Sequence, residues 1–165
     1  MILYVLRHGI AEEVSASGDD ASRRLTAQGR SRMQQAVAGL RRLGVAPGVV
    51  LTSPLPRAAE TAAIVVAGLP DAPVPRELPA LAPGVPPEET VRAMRPFARQ
   101  RELMVIGHQP NLGHLAALLL TGSTDGVTVD LKKGGCAALE LSGLVTRGRA
   151  TLRWLLPPRV LRRLG

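Results

Sequence analysis

Short apolar runs alternate along this chain with longer stretches in which apolar residues recur every three or four positions. A short apolar run bounded by polar or turn residues is typical of a buried strand. The runs that fit this description lie at residues 2–6, 49–52, 103–106, 136–141 and 151–155. The last two are joined by a Gly-rich connection, and we expect them to form a final pair of strands.

The stretches between these runs predict helices. In the first, a helix begins after the capping residue Thr26 and ends near Gly44. Its apolar face is formed by Met33, Ala36, Val37 and Leu40.

Three further helices are predicted. One spans 56–67, with a Pro in its first turn, and one spans 88–97, after Pro87. The last begins near Asn111 and ends at Gly122. Its stripe consists of Leu112, Leu115, Ala116 and Leu119.

Alternation of strands and helices predicts the α/β fold class, a three-layer sandwich with a mostly parallel central sheet flanked by helices. At 165 residues, with no repeat and no domain linker, we expect a single domain spanning 1–165. Residues 70–87 are the Pro-richest part and predict a surface excursion. The single Cys136 excludes an internal disulfide, and we expect this residue to be buried.

The amino-acid composition limits the kinds of partner that the protein is expected to bind. The chain has only one Trp, one Tyr and one Phe, so the core is expected to consist of Leu, Val and Ala. The scarcity of aromatic residues also disfavours nucleic acid as a partner, because nucleic-acid binding needs aromatic stacking platforms. The net charge of +8 indicates either a surface for an anionic partner or a GC-rich genome that encodes Arg where other genomes encode Lys. The basic tail 159–163 is expected to be a solvated terminal face. With no signal peptide and no membrane span, the expected location is the cytoplasm.

Candidate chemistry lies where three of the apolar runs end. The first run ends in Arg7, His8 and Gly9, the second precedes a helix with Arg57 in its first turn, and the third ends before His108. Ligands of open α/β sheets bind at the carboxyl ends of the strands. If these strands are neighbours, both arginines and both histidines converge on one pocket.

Such a pocket suits a phosphoryl group. Two guanidinium groups grip phosphate oxygens in a forked geometry that Lys does not reproduce. Cationic groups around the phosphoryl group stabilise the negative charge that spreads over its oxygens in the transition state of transfer. A neutral imidazole can attack phosphorus and form a covalent intermediate.

These residues resemble the motifs of the histidine phosphatase superfamily, which has the phosphoglycerate mutase-like fold. The resemblance makes His8 the nucleophile, and it makes Arg7 and Gly9 phosphate-binding residues. Residues 53–62 (SPLPRAAETA) are similar to the second motif, whose Arg is Arg57, and residues 107–110 (GHQP) to the third, whose imidazole is His108.

Within the superfamily the short chain resembles the SixA-type phosphohistidine phosphatases, which lack a large cap insertion. Residues 20–29 (DASRRLTAQG) and 78–83 (LPALAP) carry this likeness, and Arg23 matches an Arg that reaches the phosphate from the first loop. One departure is Ala80, because related chains often hold a Glu there that serves as general acid. Glu77 is nearby.

The resemblance implies a metal-independent hydrolase without a cofactor, which removes phosphoryl groups from a phosphorylated histidine-containing protein. Two alternatives stay open: a small-molecule phosphomonoesterase of the same superfamily, or a non-catalytic phosphoprotein-binding module. Three His without clustered carboxylates predict no metal site. The remaining candidates are read as structural: His114 in its helix, and the loop charges Glu12, Glu13, Asp19 and Asp20.

Overall fold

The computed structural model describes residues 1–165, which form one six-stranded sheet with helices on both of its faces. The strands are β1 (Ile2–Arg7), β2 (Val49–Thr52), β3 (Arg76–Glu77), β4 (Glu102–Gly107), β5 (Cys136–Leu141) and β6 (Ala150–Leu156). The helices are α1 (Ala27–Arg42), α2 (Pro56–Gly68), α3 (Pro87–Met94), α4 (Asn111–Thr121) and α5 (Pro158–Leu164). Short 3-10 turns lie at Asp20–Ser22, Pro79–Leu81 and Arg95–Phe97.

The order of strands across the sheet is β3-β2-β4-β1-β5-β6. The first four of these are parallel, and the pairings β1·β5 and β5·β6 are antiparallel. In the register of β1 with β4, Arg7 lies opposite Gly107. The predicted α/β sandwich with a mostly parallel sheet is confirmed, and the carboxyl ends of β1, β2 and β4 lie side by side.

The sheet is buried on both faces, which explains the uninterrupted apolar runs in its central strands. Along β1, Leu3 and Val5 join one core together with α3 and α4. Tyr4 and Leu6 join the other, against α1, α2 and α5. Both cores consist largely of Leu, Val, Ala and Met, and Cys136 is fully buried in the second.

The local signals at helix ends hold in the structure. The Thr26 side chain accepts a hydrogen bond of 2.9 Å from the amide of Gly29 and so caps α1. Gly122 adopts a left-handed conformation, with φ of 86°, at the end of α4. The helix predicted over 88–97 instead divides after Met94, since Pro96 has no N–H to continue the α-helical ladder.

The expectation of a solvated face at 159–163 holds only in part, because Arg159 and Arg163 are exposed while Leu161 is buried. The C-terminal residues form α5, which packs on α1 through the fully buried Leu161. The two helices approach so closely that a Cβ on Gly39 would meet the carbonyl oxygen of Leu161 at 2.0 Å. A run of only seven residues with one buried position gives too weak a periodic pattern to predict this helix.

Candidate active site

The carboxyl edge of the parallel strands brings four predicted side chains together. Arg7 ends β1 and His8 follows it, His108 follows β4, and Arg57 lies in the first turn of α2. The two imidazole rings have centroids 5.0 Å apart. His8, His108 and Arg57 are 6%, 3% and 3% exposed, so all three are almost completely removed from bulk water.

The ring of His8 is oriented by the next residue. Its Nδ1 lies 2.7 Å from the carbonyl oxygen of Gly9. Because a carbonyl can only accept, Nδ1 carries the proton and Nε2 keeps its lone pair. Burial, followed by the charges of Arg57, Arg7 and Lys133, lowers the pKa of His8 to about 4, although the hydrogen bond to Gly9 opposes this shift. His8 is therefore neutral at pH 7, with a free basic nitrogen.

The ring of His108 is oriented by Ser53. Its Nε2 lies 2.8 Å from Ser53 Oγ, and this hydroxyl accepts a bond of 3.3 Å from the amide of Leu55. Ser53 is fully buried, so its hydroxyl proton needs an acceptor, and Nε2 of His108 is the one in reach. This arrangement leaves the proton of the neutral ring on Nδ1, which is buried and has no partner. Burial lowers the pKa of His108 to about 3, and so do the positive charge that His8 acquires once it is protonated and the charge of Arg57.

Three guanidinium groups are each fastened at one terminal nitrogen to a backbone carbonyl. Arg7 donates to Leu131 at 2.7 Å, Arg57 to Asp20 at 2.7 Å, and Arg23 to Glu12 at 2.9 Å. In all three the Nε–H is buried and has no partner in the protein. A buried donor without a partner costs about 1–3 kcal/mol. Together with Nδ1 of His108 they form a set of donors that suits an oxyanion.

Gly9 differs from its predicted part in phosphate binding. Its amide donates a hydrogen bond of 3.1 Å to the Thr61 hydroxyl, which in turn donates to the carbonyl of Arg57 at 2.7 Å. The N–H of Gly9 is thus already used. A Cβ there would lie 3.3 Å from Leu25 and 3.4 Å from Met33, so the residue lets the chain pass close to α1 while its carbonyl orients His8.

Asp20 is more than the loop charge that was expected. Its carboxylate lies 3.1 Å from a terminal nitrogen of Arg57 and 2.6 Å from one of Arg23. This pairing joins the first loop to α2 and holds Arg23 beside the phosphate-binding candidates. The signal present in the sequence is its place at the start of the segment 20–29, whereas its pairing with Arg57, 37 residues away, leaves no local pattern.

Glu60 is a further residue that the sequence reading missed. It accepts from Arg24 at 2.6 Å, from Arg30 at 2.6 Å and from the amide of Leu25 at 2.9 Å. These bonds fasten the chain between the first loop and α1 onto α2. The signal that was present is its place in the second motif, three residues after Arg57.

Comparison with known proteins identifies this arrangement. Residues 3–81 match the family model of the histidine phosphatase superfamily, branch 1. An uncharacterized protein of Picosynechococcus sp. is 34% identical over 149 residues, which is 85% of each chain. The structure of the protein histidine phosphatase SixA complexed with tungstate superposes with a TM-score of 0.86, at 26% identity, over 98% of this chain and 99% of that one. The chain belongs to the histidine phosphatase superfamily.

Two further solved structures share the fold at lower identity. A putative phosphohistidine phosphatase SixA from Agrobacterium tumefaciens has a TM-score of 0.75 at 17% identity, over 95% of this chain and 98% of its own. A putative alpha-ribazole-5'-P phosphatase from Escherichia coli has a TM-score of 0.73 at 22% identity, over 96% and 97%. The phosphoglycerate mutase-like fold expected from the motifs is thus confirmed.

In this member of the superfamily the segment after the second motif supplies no carboxylic acid to the four donors. Glu77 is exposed on the edge strand β3 and makes no side-chain hydrogen bond. The backbone of Ala80 instead accepts from the Thr90 hydroxyl at 2.7 Å. The carboxylate beside the donors is that of Asp20. Despite some desolvation, the guanidinium groups of Arg57 and Arg23 lower the pKa of Asp20, which makes it a poor proton donor.

The remaining sequence-based interpretations concern metals and membranes. No three His, Cys, Asp or Glu side chains of this chain are grouped as a metal site requires. His114 lies on the exposed side of α4, outside the donor set. No helix combines the length and the apolar character needed to cross a membrane.

Proposed function

We propose that this protein is a phosphohistidine phosphatase that removes a phosphoryl group from a histidine of a protein substrate through a covalent phospho-His8 intermediate. The observation that carries the proposal is the state of His8: Nδ1 is bonded to the Gly9 carbonyl, and Nε2 is basic, neutral and free. Only this tautomer presents a nucleophilic nitrogen to phosphorus while the opposite nitrogen is held in place.

In the first step the lone pair of Nε2 on His8 attacks phosphorus, and the bond from phosphorus to the substrate imidazole breaks. The electron pair of that bond stays on the substrate nitrogen. Free Nε–H groups of Arg7, Arg23 and Arg57 and the Nδ1–H of His108 donate to the equatorial oxygens, where charge accumulates. Gly9 takes no direct part in this binding, since its amide is engaged with Thr61.

In the second step water attacks the phosphorus of phospho-His8, and the electron pair of the broken P–N bond returns to Nε2. The water proton leaves with the phosphate product or to solvent. Throughout, the Gly9 carbonyl accepts from Nδ1–H and stabilises the positive charge that the phosphorylated ring carries.

The lack of a good proton donor favours phosphohistidine as the substrate. An alkoxide leaving group needs a proton in the transition state, and general acid catalysis is worth about 10²–10⁴-fold. An imidazole leaves as a neutral ring when its other nitrogen is protonated, so it needs no acid from the enzyme. Asp20, with its lowered pKa, is unsuited to the role of acid, and Ala80 has no acidic group.

The test compares kcat/KM for a phosphorylated histidine-containing domain, a phosphohistidine peptide and several sugar phosphates, with and without a chelator. We expect the phosphohistidine substrates to be favoured and the chelator to have no effect. A preference of about tenfold or more, 1.4 kcal/mol, for sugar phosphates would instead identify a small-molecule phosphomonoesterase. Rapid quench with labelled substrate should trap acid-labile, alkali-stable phosphate on His8. Tight binding without turnover or label would identify a phosphoprotein-binding module.

A further inference from the structure

A second cationic feature lies beside the candidate active site and contains none of the four donors described above. It is a cavity of about 350 Å³ between α1, α5 and the segment that precedes β5. Its floor is apolar and includes the buried side chains of Met33 and Ala36. Its rim is formed by five cationic side chains: Arg32, Lys132, Lys133, Arg159 and Arg162. We call this feature the basic cavity.

The charge of the basic cavity is almost uncompensated. Of the five rim residues only Lys132 has an acidic partner, Asp130, at 2.5 Å. Neither α1 nor α5 contains an Asp or Glu, and no carboxylate lines the cavity. Like charges placed close together repel one another, so the concentration of cations here lowers stability unless an anion binds.

The basic cavity is continuous with the backbone that carries the nucleophile. Gly9 lines it, and so does Gly134, whose amide donates to the carbonyls of Arg7 and His8 at 3.1 and 3.0 Å. The segment bearing Lys132 and Lys133 is therefore tied to the end of β1. Lys133 is close enough to contribute to the lowered pKa of His8.

We propose that the basic cavity receives an acidic segment of the protein substrate, with an apolar side chain on its floor and carboxylates against its rim. This inference rests on the proposed function and names the surface that the substrate should carry next to its phosphohistidine. Charge complementarity indicates that the segment bound in the cavity is negatively charged. The apolar floor formed by Met33 and Ala36 indicates that this segment also carries an apolar side chain. A sugar phosphate held at His8 has no segment that extends into this cavity.

The test uses the full chain and three substrates: phosphoramidate, a short phosphohistidine peptide with Glu and Leu beside the phosphohistidine, and the same peptide with Gln for every Glu. For the wild type we expect kcat/KM of the acidic peptide to exceed that of the Gln peptide by about tenfold or more, 1.4 kcal/mol. Added salt should reduce the difference, because exposed charges are screened.

The variant is Arg32→Glu with Arg159→Glu, both at exposed positions of the rim. It should lose the preference for the acidic peptide while hydrolysing phosphoramidate within about twofold of the wild-type rate, since neither residue belongs to the four donors. The matched control is Arg95→Glu with Arg99→Glu, which makes the same change of charge at exposed positions that precede the amino end of β4. The control should keep the preference.

Equal kcat/KM for the two peptides in the wild type, or a preference that survives in the rim variant, would overturn the proposal. A preference lost equally in the control would show a general effect of net charge and would also overturn it. If none of the three substrates is hydrolysed, the proposed function fails instead. The proposed role of the basic cavity is then tested by measuring the Kd of the unphosphorylated acidic peptide. The rim variant should bind this peptide at least about tenfold more weakly than the wild type does. Should that variant not fold, Arg32→Gln with Arg159→Gln answers the same question.

Discussion

His8 and His108 face each other across the end of the sheet with ring centroids 5.0 Å apart and planes inclined by 55°. They follow neighbouring parallel strands, so the register that pairs Arg7 with Gly107 also sets this separation. The two neutral rings are complementary: His8 presents a free basic nitrogen, and His108 presents an N–H without a partner. One ring is suited to attack a phosphorus and the other to bind one of its oxygens.

Replacing His8 by Ala should abolish turnover while leaving the fold intact. Removal of a nucleophile costs about 10⁴-fold or more in rate, because no neighbouring group takes its place. Steady-state rates and circular dichroism measure the two effects. His114→Ala is the matched control, since this His is exposed on α4, and it should retain full activity. A His8 variant with a tenth of the wild-type rate would disprove the nucleophile assignment.

Replacing Arg57 by Ala should lower kcat/KM by about 10²–10³-fold, the scale for one preorganised transition-state donor. Arg57→Lys should restore little, because an ammonium group cannot both bond the Asp20 carbonyl and offer the buried Nε–H. Arg92→Lys, at an exposed residue paired with Glu89, is the conservative control. Full rescue by Lys would mean that charge alone matters at this position.

Replacing Ser53 by Ala should lower kcat about five- to tenfold, the equivalent of one neutral hydrogen bond of about 1 kcal/mol. The physical reason is the tautomer of His108: without the hydroxyl proton on Nε2, the ring is free to carry its proton on the wrong nitrogen. Nitrogen NMR shifts of His108 report the tautomer directly. An unchanged tautomer together with a lower kcat would contradict the positioning role. Ser142→Ala, at an exposed Ser outside the site, is the control.

Stability should depend on pH through the two buried imidazoles. Their pKa values are about 4 and about 3 in the folded protein against 6.5 in the unfolded chain. As pH falls from 6.5 towards 4, the unfolded chain takes up protons that the folded protein resists. The free energy of unfolding should therefore fall by more than about 1 kcal/mol for each imidazole. The part of the free energy of unfolding that depends on the two neutral imidazoles is fully present above pH 6.5.

Denaturant unfolding at several pH values measures this loss. His8→Asn and His108→Asn should each flatten the dependence of the free energy of unfolding on pH between pH 6.5 and 4. If the wild-type stability is constant over that interval, the folded-state pKa values of the two rings are not lowered as described.

The sequence by itself determined five of the six strands, four of the five helices and the residues at the carboxyl edge of the sheet, but not the edge strand β3, which lies in the segment predicted as a surface excursion. These features are local: apolar runs, three- and four-residue spacing, capping residues and turn glycines act within a few positions of one another. Neighbouring parallel strands bring their carboxyl ends to one edge, so Arg7, His8, Arg57 and His108 could be expected together if their strands were neighbours. The strand order in the structure meets that condition. The three motifs added the family, and the comparisons confirmed it.

Only the tertiary structure decided how the side chains at that edge are held. Asp20 reaches Arg57 across 37 residues, and Thr61 takes the amide of Gly9 across 52, so neither contact leaves a periodic signal. The basic cavity depends on the packing of α5 against α1, and α5 has only one buried residue, Leu161, to indicate this packing in the sequence. Contacts between distant segments are set by how the whole chain packs, and patterns of neighbouring residues carry little information about them.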